Sequence, residues 1–160
     1  MCRQSGQGFS LLELLLVISL FGVLAGMTSL QLAPLLNRTT LNNGVRQIVS
    51  DLQLVRMQAI ARNRRLRVTF QPGTNRYVVE KRENGRWLGH HLHSHGDGGN
   101  DGVYIRLPAT VVISAANSRG DVIFVPRGHV DGGMTLTLTS RDGEFSKRVV
   151  INLAGRVRID

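Results

Sequence analysis

Two groups of side chains in this 160-residue chain have the types and spacing for chemistry: a run of histidines and a set of arginines. Gly89-His90-His91-Leu92-His93-Ser94-His95-Gly96-Asp97 gathers four of the five histidines, with Asp101 close behind. Alternate side chains of an extended segment share a side, so His91, His93 and His95 could converge on Zn²⁺. A glycine-rich surface loop, in which histidine is simply a polar residue, explains the same run and is the reading preferred here; no metal and no cofactor is assigned. Ser94 is a weaker candidate still, because such a loop cannot hold a nucleophile and its base in register. The single cysteine, Cys2, can supply neither an internal disulfide nor a Cys-based zinc site. No P-loop, Rossmann glycine pattern or nucleophile elbow is present. The expectation is a protein that is not an enzyme.

The arginines say more. Lys and Arg number 20 against 11 Asp and Glu, and 18 of the 20 are Arg. From Arg38 onward there are 19 basic and 10 acidic residues, so this part carries the whole +9. Guanidinium favours planar, bidentate contact with phosphate over the generic solubilising role of lysine. One cluster is Arg62, Arg64, Arg65 and Arg67; a second is Lys147, Arg148, Arg156 and Arg158. If Gly155-Arg156-Val157-Arg158 is a strand, its two arginines share one face about 6.6–6.8 Å apart, with Val157 and Ile159 turned to the core. A DNA strand carries one phosphate per ~3.4 Å of axis, so this pair can address two or more phosphates without entering a groove. Geometry alone favours a plainer account, a terminal strand whose outward charges discourage edge pairing.

The elements that position these residues follow from periodicity. Leu41, Val45, Ile48, Leu52, Val55 and Ala59 recur at three and four, drawing one apolar stripe with Arg46, Asp51 and Arg56 largely off it. This helix runs out near Arg62-Asn63-Arg64, where cations suit the negative end of the helix dipole. Pro34 stands before it, at a place where the chain kinks or a helix ends. Short β-type runs follow at 66–70, 76–82, 103–107, 110–114, 122–125, 134–140, 145–153 and 156–159. Between them stand Pro72-Gly73, Asn84-Gly85, Arg119-Gly120, Asp131-Gly132-Gly133 and Asp142-Gly143, which are turn chemistry. Strands joined so closely pair antiparallel, so one long helix on antiparallel sheet gives an α+β class.

Residues 9–33 read FSLLELLLVISLFGVLAGMTSLQLA, with Glu13 the only charge. As a helix this is about 37 Å at ~1.5 Å per residue, against a hydrocarbon core of ~30 Å. Arg3 and the amino terminus place residues 1–8 on the cytoplasmic side. The run is too long for a secretory signal core of 7–15 residues, and Cys2 lacks the apolar residues of a lipobox. A plain anchor leaves Glu13 unexplained, since an ionisable group in lipid is costly.

Gly8-Phe9-Ser10-Leu11-Leu12-Glu13 resembles the processing site of type IV pilins and type II secretion pseudopilins. ARNRRLRVTF and the overall length are similar to the pseudopilin H and FimT-type minor pilin group. The resemblance implies a leader over 1–8, cleavage between Gly8 and Phe9 by a prepilin peptidase, and a methylated Phe9. It also implies a transmembrane and assembly helix over 9–33 in the bacterial inner membrane, crossing once. An amphipathic helix over 34–64 and an antiparallel β domain over 65–160 follow in the periplasm, or outside the cell once in a pilus. Glu13 then pairs with the Phe9 amine of a neighbouring subunit, and the partners are other pilins or pseudopilins. The GRVR at 155–158 resembles the C-terminal motif by which FimT-type minor pilins bind DNA in natural transformation. Gly155, Arg156 and Arg158 are therefore the expected DNA contacts, supported by Arg62, Arg64, Arg65, Arg67, Lys147 and Arg148. Aromatic residues are only 5%, and Phe9 and Phe21 fall in the apolar helix, so binding should be led by phosphate and blind to sequence. The alternative is a structural minor pseudopilin H in protein secretion.

Overall fold

A computed structural model describes residues 10–92, 104–116 and 119–160, with the backbone alone described for 25–35 and 115. The leader and processing dipeptide (Gly8, Phe9) and the histidines at 93 and 95 lie outside the described residues. The chain divides into two compact units, Met1–Leu36 and Asn37–Asp160. A single helix, α1 (Leu11–Ala61), is assigned through both, so Pro34 does not end it.

In the first unit the Ser10 carbonyl accepts the amides of Glu13 (3.0 Å) and Leu14 (3.2 Å), opening the helix. Glu13 stands in the first turn, where an acidic group complements the positive end of the helix dipole. Residues 10–24 are all exposed, most of them leucine, isoleucine, valine or phenylalanine. A helix apolar on every side needs a cover of lipid or other helices. Among the described residues no helix is long and apolar enough to cross a membrane. The described side chains Leu11–Leu24 reach only about 21 Å at ~1.5 Å per residue, and the rest of the span expected over 9–33 falls on residues whose side chains are not described.

In the second unit the stripe Leu41, Val45, Ile48, Leu52, Val55 and Ala59 is buried throughout. Asp51 departs from expectation: it is 4% exposed, and the Tyr77 hydroxyl donates to its Oδ2. Burial, then the neighbouring Asp51 charge, pushes the Tyr77 phenol far above its ordinary value. The helix ends in a Schellman arrangement: Asn63 takes positive φ (49°), its amide bonds the Ile60 carbonyl, and the Arg64 amide bonds the Ala59 carbonyl.

The strands are β1 (Leu66–Phe70), β2 (Arg76–Glu83), β3 (Arg86–Gly89), β4 (Tyr104–Arg106), β5 (Val111–Ala115), β6 (Asp121–Phe124), β7 (Met134–Ser140), β8 (Ser146–Ile151) and β9 (Val157–Ile159). One sheet runs β3-β2-β1-β6, with β4 also on β2; the other runs β5-β7-β8-β9. Every pairing is antiparallel. The fold is α+β. β3 is a strand that the apolar pattern does not announce, joined to β2 by Asn84-Gly85 with positive φ at both residues (49° and 79°), the requirement of a type I′ hairpin. Leu66, Val68, Phe70, Tyr77, Val79, Val122 and Phe124 of the first sheet share one core with Val111, Ile113, Leu136, Leu138, Val149 and Ile151 of the second and with the helix stripe.

Candidate nucleic-acid interface

The C-terminal arginines are placed by a tight turn between β8 and β9. The Gly155 amide bonds the Asn152 carbonyl (2.9 Å), the Asn152 amide bonds the Arg156 carbonyl (3.1 Å), and the Asn152 side chain accepts the Arg156 amide (2.9 Å). Gly155 has φ of 72°, as the left-handed third position of such a hairpin loop demands. A Cβ there would stand 2.5 Å from the Gly128 carbonyl oxygen. That oxygen also accepts from Arg56 Nε (2.8 Å), so helix, 126–130 loop and C-terminal turn meet at one point. Gly155 therefore has a packing role of its own.

Beyond the turn, β9 pairs with β8 in the register Val149↔Ile159, Val150↔Arg158, Ile151↔Val157. Alternation puts Arg156 and Arg158 on the outer face, and both are exposed. Val157 turns inward and packs on the core, as expected. Ile159 does not bury: it is 41% exposed, because β9 is the last strand of its sheet and no further strand flanks it.

Arg148 exchanges backbone bonds with Asp160 (2.9 and 3.2 Å) and shares the face of Arg156 and Arg158. The same face carries Thr135, Thr137 and Thr139 of β7 and Ser114 of β5. Lys147 does not join it: its partner in β7 is Leu138, a core residue, so Lys147 projects from the opposite side. Arg158 Nε meets Asp160 Oδ1 at 2.8 Å, with the Arg158 side chain 76% exposed. An exposed pair of this kind contributes only about 0–1 kcal/mol, so a phosphate can displace it.

The cluster at 62–67 separates. Arg67 is committed: its guanidinium holds Glu80 Oε2 at 2.8 Å and lies 4.4 Å from the centre of the Trp87 ring. Arg64 meets Glu83 at 3.3 Å. Lys81 and then Arg64 hold the Glu83 carboxyl below its ordinary range. Arg62 and Arg65 are exposed and make no ion pair among the described residues.

His90 leaves the histidine run altogether. It is buried, its Nε2 lies 2.6 Å from Gln58 Oε1, and its pKa is lowered by burial and then by the positive charge of Arg62. Among the described residues no cluster of three or more His, Cys, Asp and Glu could hold a metal ion.

A helix feeding two packed antiparallel sheets, preceded by an exposed apolar segment, defines a pilin-like class of subunit. Residues 44–155 match the family of the type II transport protein GspH, and residues 3–29 match the prokaryotic N-terminal methylation motif. The chain belongs to the GspH family, whose members are structural pilin-like subunits. It is 30% identical over 158 residues to the pilin-like protein PilA1 of Thermus thermophilus, covering 96% of this chain and 98% of that one. Its fold is similar to the minor pseudopilin EpsH of the type 2 secretion system of Vibrio cholerae, with TM-score 0.57 and 14% identity over 72% of this chain and 91% of that one. It is also similar to the type IV minor pilin FimU of Pseudomonas aeruginosa, with TM-score 0.57 and 16% identity over 77% and 90%.

Proposed function

We propose that the chain is a minor pilin that binds DNA without sequence preference and serves DNA uptake. In this reading a prepilin peptidase cuts between Gly8 and Phe9, Phe9 is methylated, and Glu13 pairs with a neighbouring subunit's amine during assembly. The protein crosses the inner membrane once and presents residues 37–160 to the periplasm. The observation that carries the DNA reading is the outer face of the second sheet, where Arg148, Arg156 and Arg158 are exposed together beside a row of threonines with Asp160 as the acidic residue among them.

Full-length protein in a non-ionic detergent, titrated against unrelated fluorescent duplexes over a salt series, tests it. Binding should be equal across sequences. Arg156→Gln with Arg158→Gln should reduce the slope of log K against log salt by about 1.8, at ~0.9 per phosphate contact. No binding at low salt, or binding untouched by the double change, would defeat the assignment. Mass spectrometry of the protein from its native host should find a chain that starts at methylated Phe9.

The second reading is a minor pseudopilin of type II secretion with a purely structural role. It is favoured by the extent of the family match, which ends at Gly155 and leaves Arg156 and Arg158 outside. Intact filament function in a DNA-blind protein would select it.

A further inference from the structure

Gly128 lies between Arg127 and His129 in the loop that joins β6 to β7. Between this loop and the end of α1 is an open groove of about 450 Å³ lined by Asn63, Arg65, Val125, Pro126, Arg127 and His129. We infer that this groove is a second phosphate-contact site on the same DNA path, with Arg65 and Arg127 as the contacting cations and Asn63 and His129 as further hydrogen-bond donors. The inference rests on the DNA-binding reading above and extends it to residues on a different part of the fold.

Four observations carry it. No carboxylate lines the groove, although acidic residues neutralise Arg64 and Arg67 a short distance along the chain. Arg65 and Arg127 are exposed and make no ion pair among the described residues, so their donors face solvent. The walls are fixed before any ligand arrives: the Val125 amide bonds the His129 carbonyl (3.0 Å), the Gly128 amide bonds the Val125 carbonyl (2.9 Å), and Arg56 holds the Gly128 carbonyl. The helix end beside the groove opposes an anion less than an uncapped one would, since the carbonyls of Ala59 and Ile60 are taken by the Arg64 and Asn63 amides.

The connection to the C-terminal strand is direct. Gly128 and Gly155 are in such close approach that no Cβ fits between them, and the Val130 amide bonds the Leu153 carbonyl (3.1 Å). Arg127 and Arg156 each stand one residue along the chain from that contact, so the groove and the start of β9 are anchored to neighbouring backbone. The volume is many times the ~30 Å³ of a water, enough to admit a hydrated phosphodiester. The chemistry selected is an oxyanion on a flexible or helical backbone, read without base contacts.

The test compares three double variants of the full chain in detergent, each losing two positive charges, against one duplex over a salt series: Arg65→Gln with Arg127→Gln, Arg156→Gln with Arg158→Gln, and Arg46→Gln with Arg141→Gln. The last pair is a charge-matched control, exposed on α1 and in the β7–β8 turn. The groove pair should reduce the slope of log K against log salt by about 1.8, as two lost phosphate contacts do, while the control stays near wild type. A groove pair that behaves like the control, while the β9 pair loses binding, overturns the inference and leaves the DNA reading standing. A β9 pair that behaves like the control, with the groove pair weakened, defeats the C-terminal assignment and keeps the groove. A wild-type chain that does not bind at low salt removes both. Unchanged melting of each variant establishes that the losses are not those of unfolding.

Discussion

Replacing Gly155 by alanine should destabilise the domain in a way that distinguishes a packing glycine from a DNA-contacting one. Two costs add. Holding an L-residue at φ of 72° costs roughly 1–2 kcal/mol. A methyl 2.5 Å from the Gly128 oxygen must then push that carbonyl away, and the bond it accepts from Arg56 is charge-assisted. Such bonds contribute about 1.5–3 kcal/mol, discounted to about 1–2 here because Arg56 is only partly buried. The sum is about 2–4 kcal/mol, or a fall in Tm of about 8–16 °C at ~4 °C per kcal/mol for a domain of this size. Gly143→Ala is the internal reference: φ is 79° but nothing lies within 4 Å of the added methyl, so only the backbone cost applies. Thermal unfolding followed by Trp87, the sole tryptophan, measures both. If the clash acts through the Arg56 bond, the Arg56→Ala and Gly155→Ala changes will be strongly non-additive. A Gly155→Ala protein melting within about 4 °C of Gly143→Ala would refute the close approach of the C-terminal turn to the 126–130 loop.

His90 gives a prediction in pH. Its folded pKa lies below the ordinary ~6.5, so the unfolded chain binds more protons; the contribution of neutral His90 is complete above about pH 6.5 and is lost as pH falls through the folded value. Melting temperature should drop as pH falls below about 6.5, and His90→Gln should flatten that dependence; an unchanged slope would count against a buried neutral imidazole. Arg67→Ala should cost about 1–2 kcal/mol in urea unfolding, through loss of the Glu80 bond and the Trp87 stack, and leave DNA affinity unaltered. Arg67→Lys should recover less than half, because an ammonium cannot stack as a plane while bonding sideways.

Much of this architecture was legible in the sequence, for identifiable reasons. The helix stripe has an unbroken 3-4 spacing of aliphatic residues, and all six bury; β1 and β7 alternate cleanly and begin and end where the pattern says. β3 escaped because four residues with a single half-buried position, Trp87, carry no period. Asp51 misled because its type argued for solvent while its position, three after Ile48 and one before Leu52, argued for the core; position prevailed because Tyr77 supplies a donor. Lys147 was grouped with Arg148 by adjacency, yet neighbours on a strand point to opposite faces. Arg127 was invisible as a site residue, since nothing local in Pro126-Arg127-Gly128 reveals that Gly155, far along the chain, closes on the same carbonyl.

The count of charges identified a class of partner but could not locate it, because a guanidinium is available to phosphate only where the fold leaves it without a carboxylate or pairs it with one weakly, in the open. Register decides that. β1 sets Arg67 directly opposite Glu80, and the β2–β3 hairpin brings Trp87 over it, so the most strongly basic stretch of the sequence loses one cation to the sheet and lends another to Glu83. In the second sheet the residues opposite Arg148 and flanking the arginines of β9 are threonine, valine and asparagine, with Asp160 the one acid on that face of the sheet among the described residues. The positive surface is therefore a product of pairing partners more than of arginine density, and it lies where threonine, not glutamate, occupies the neighbouring strand.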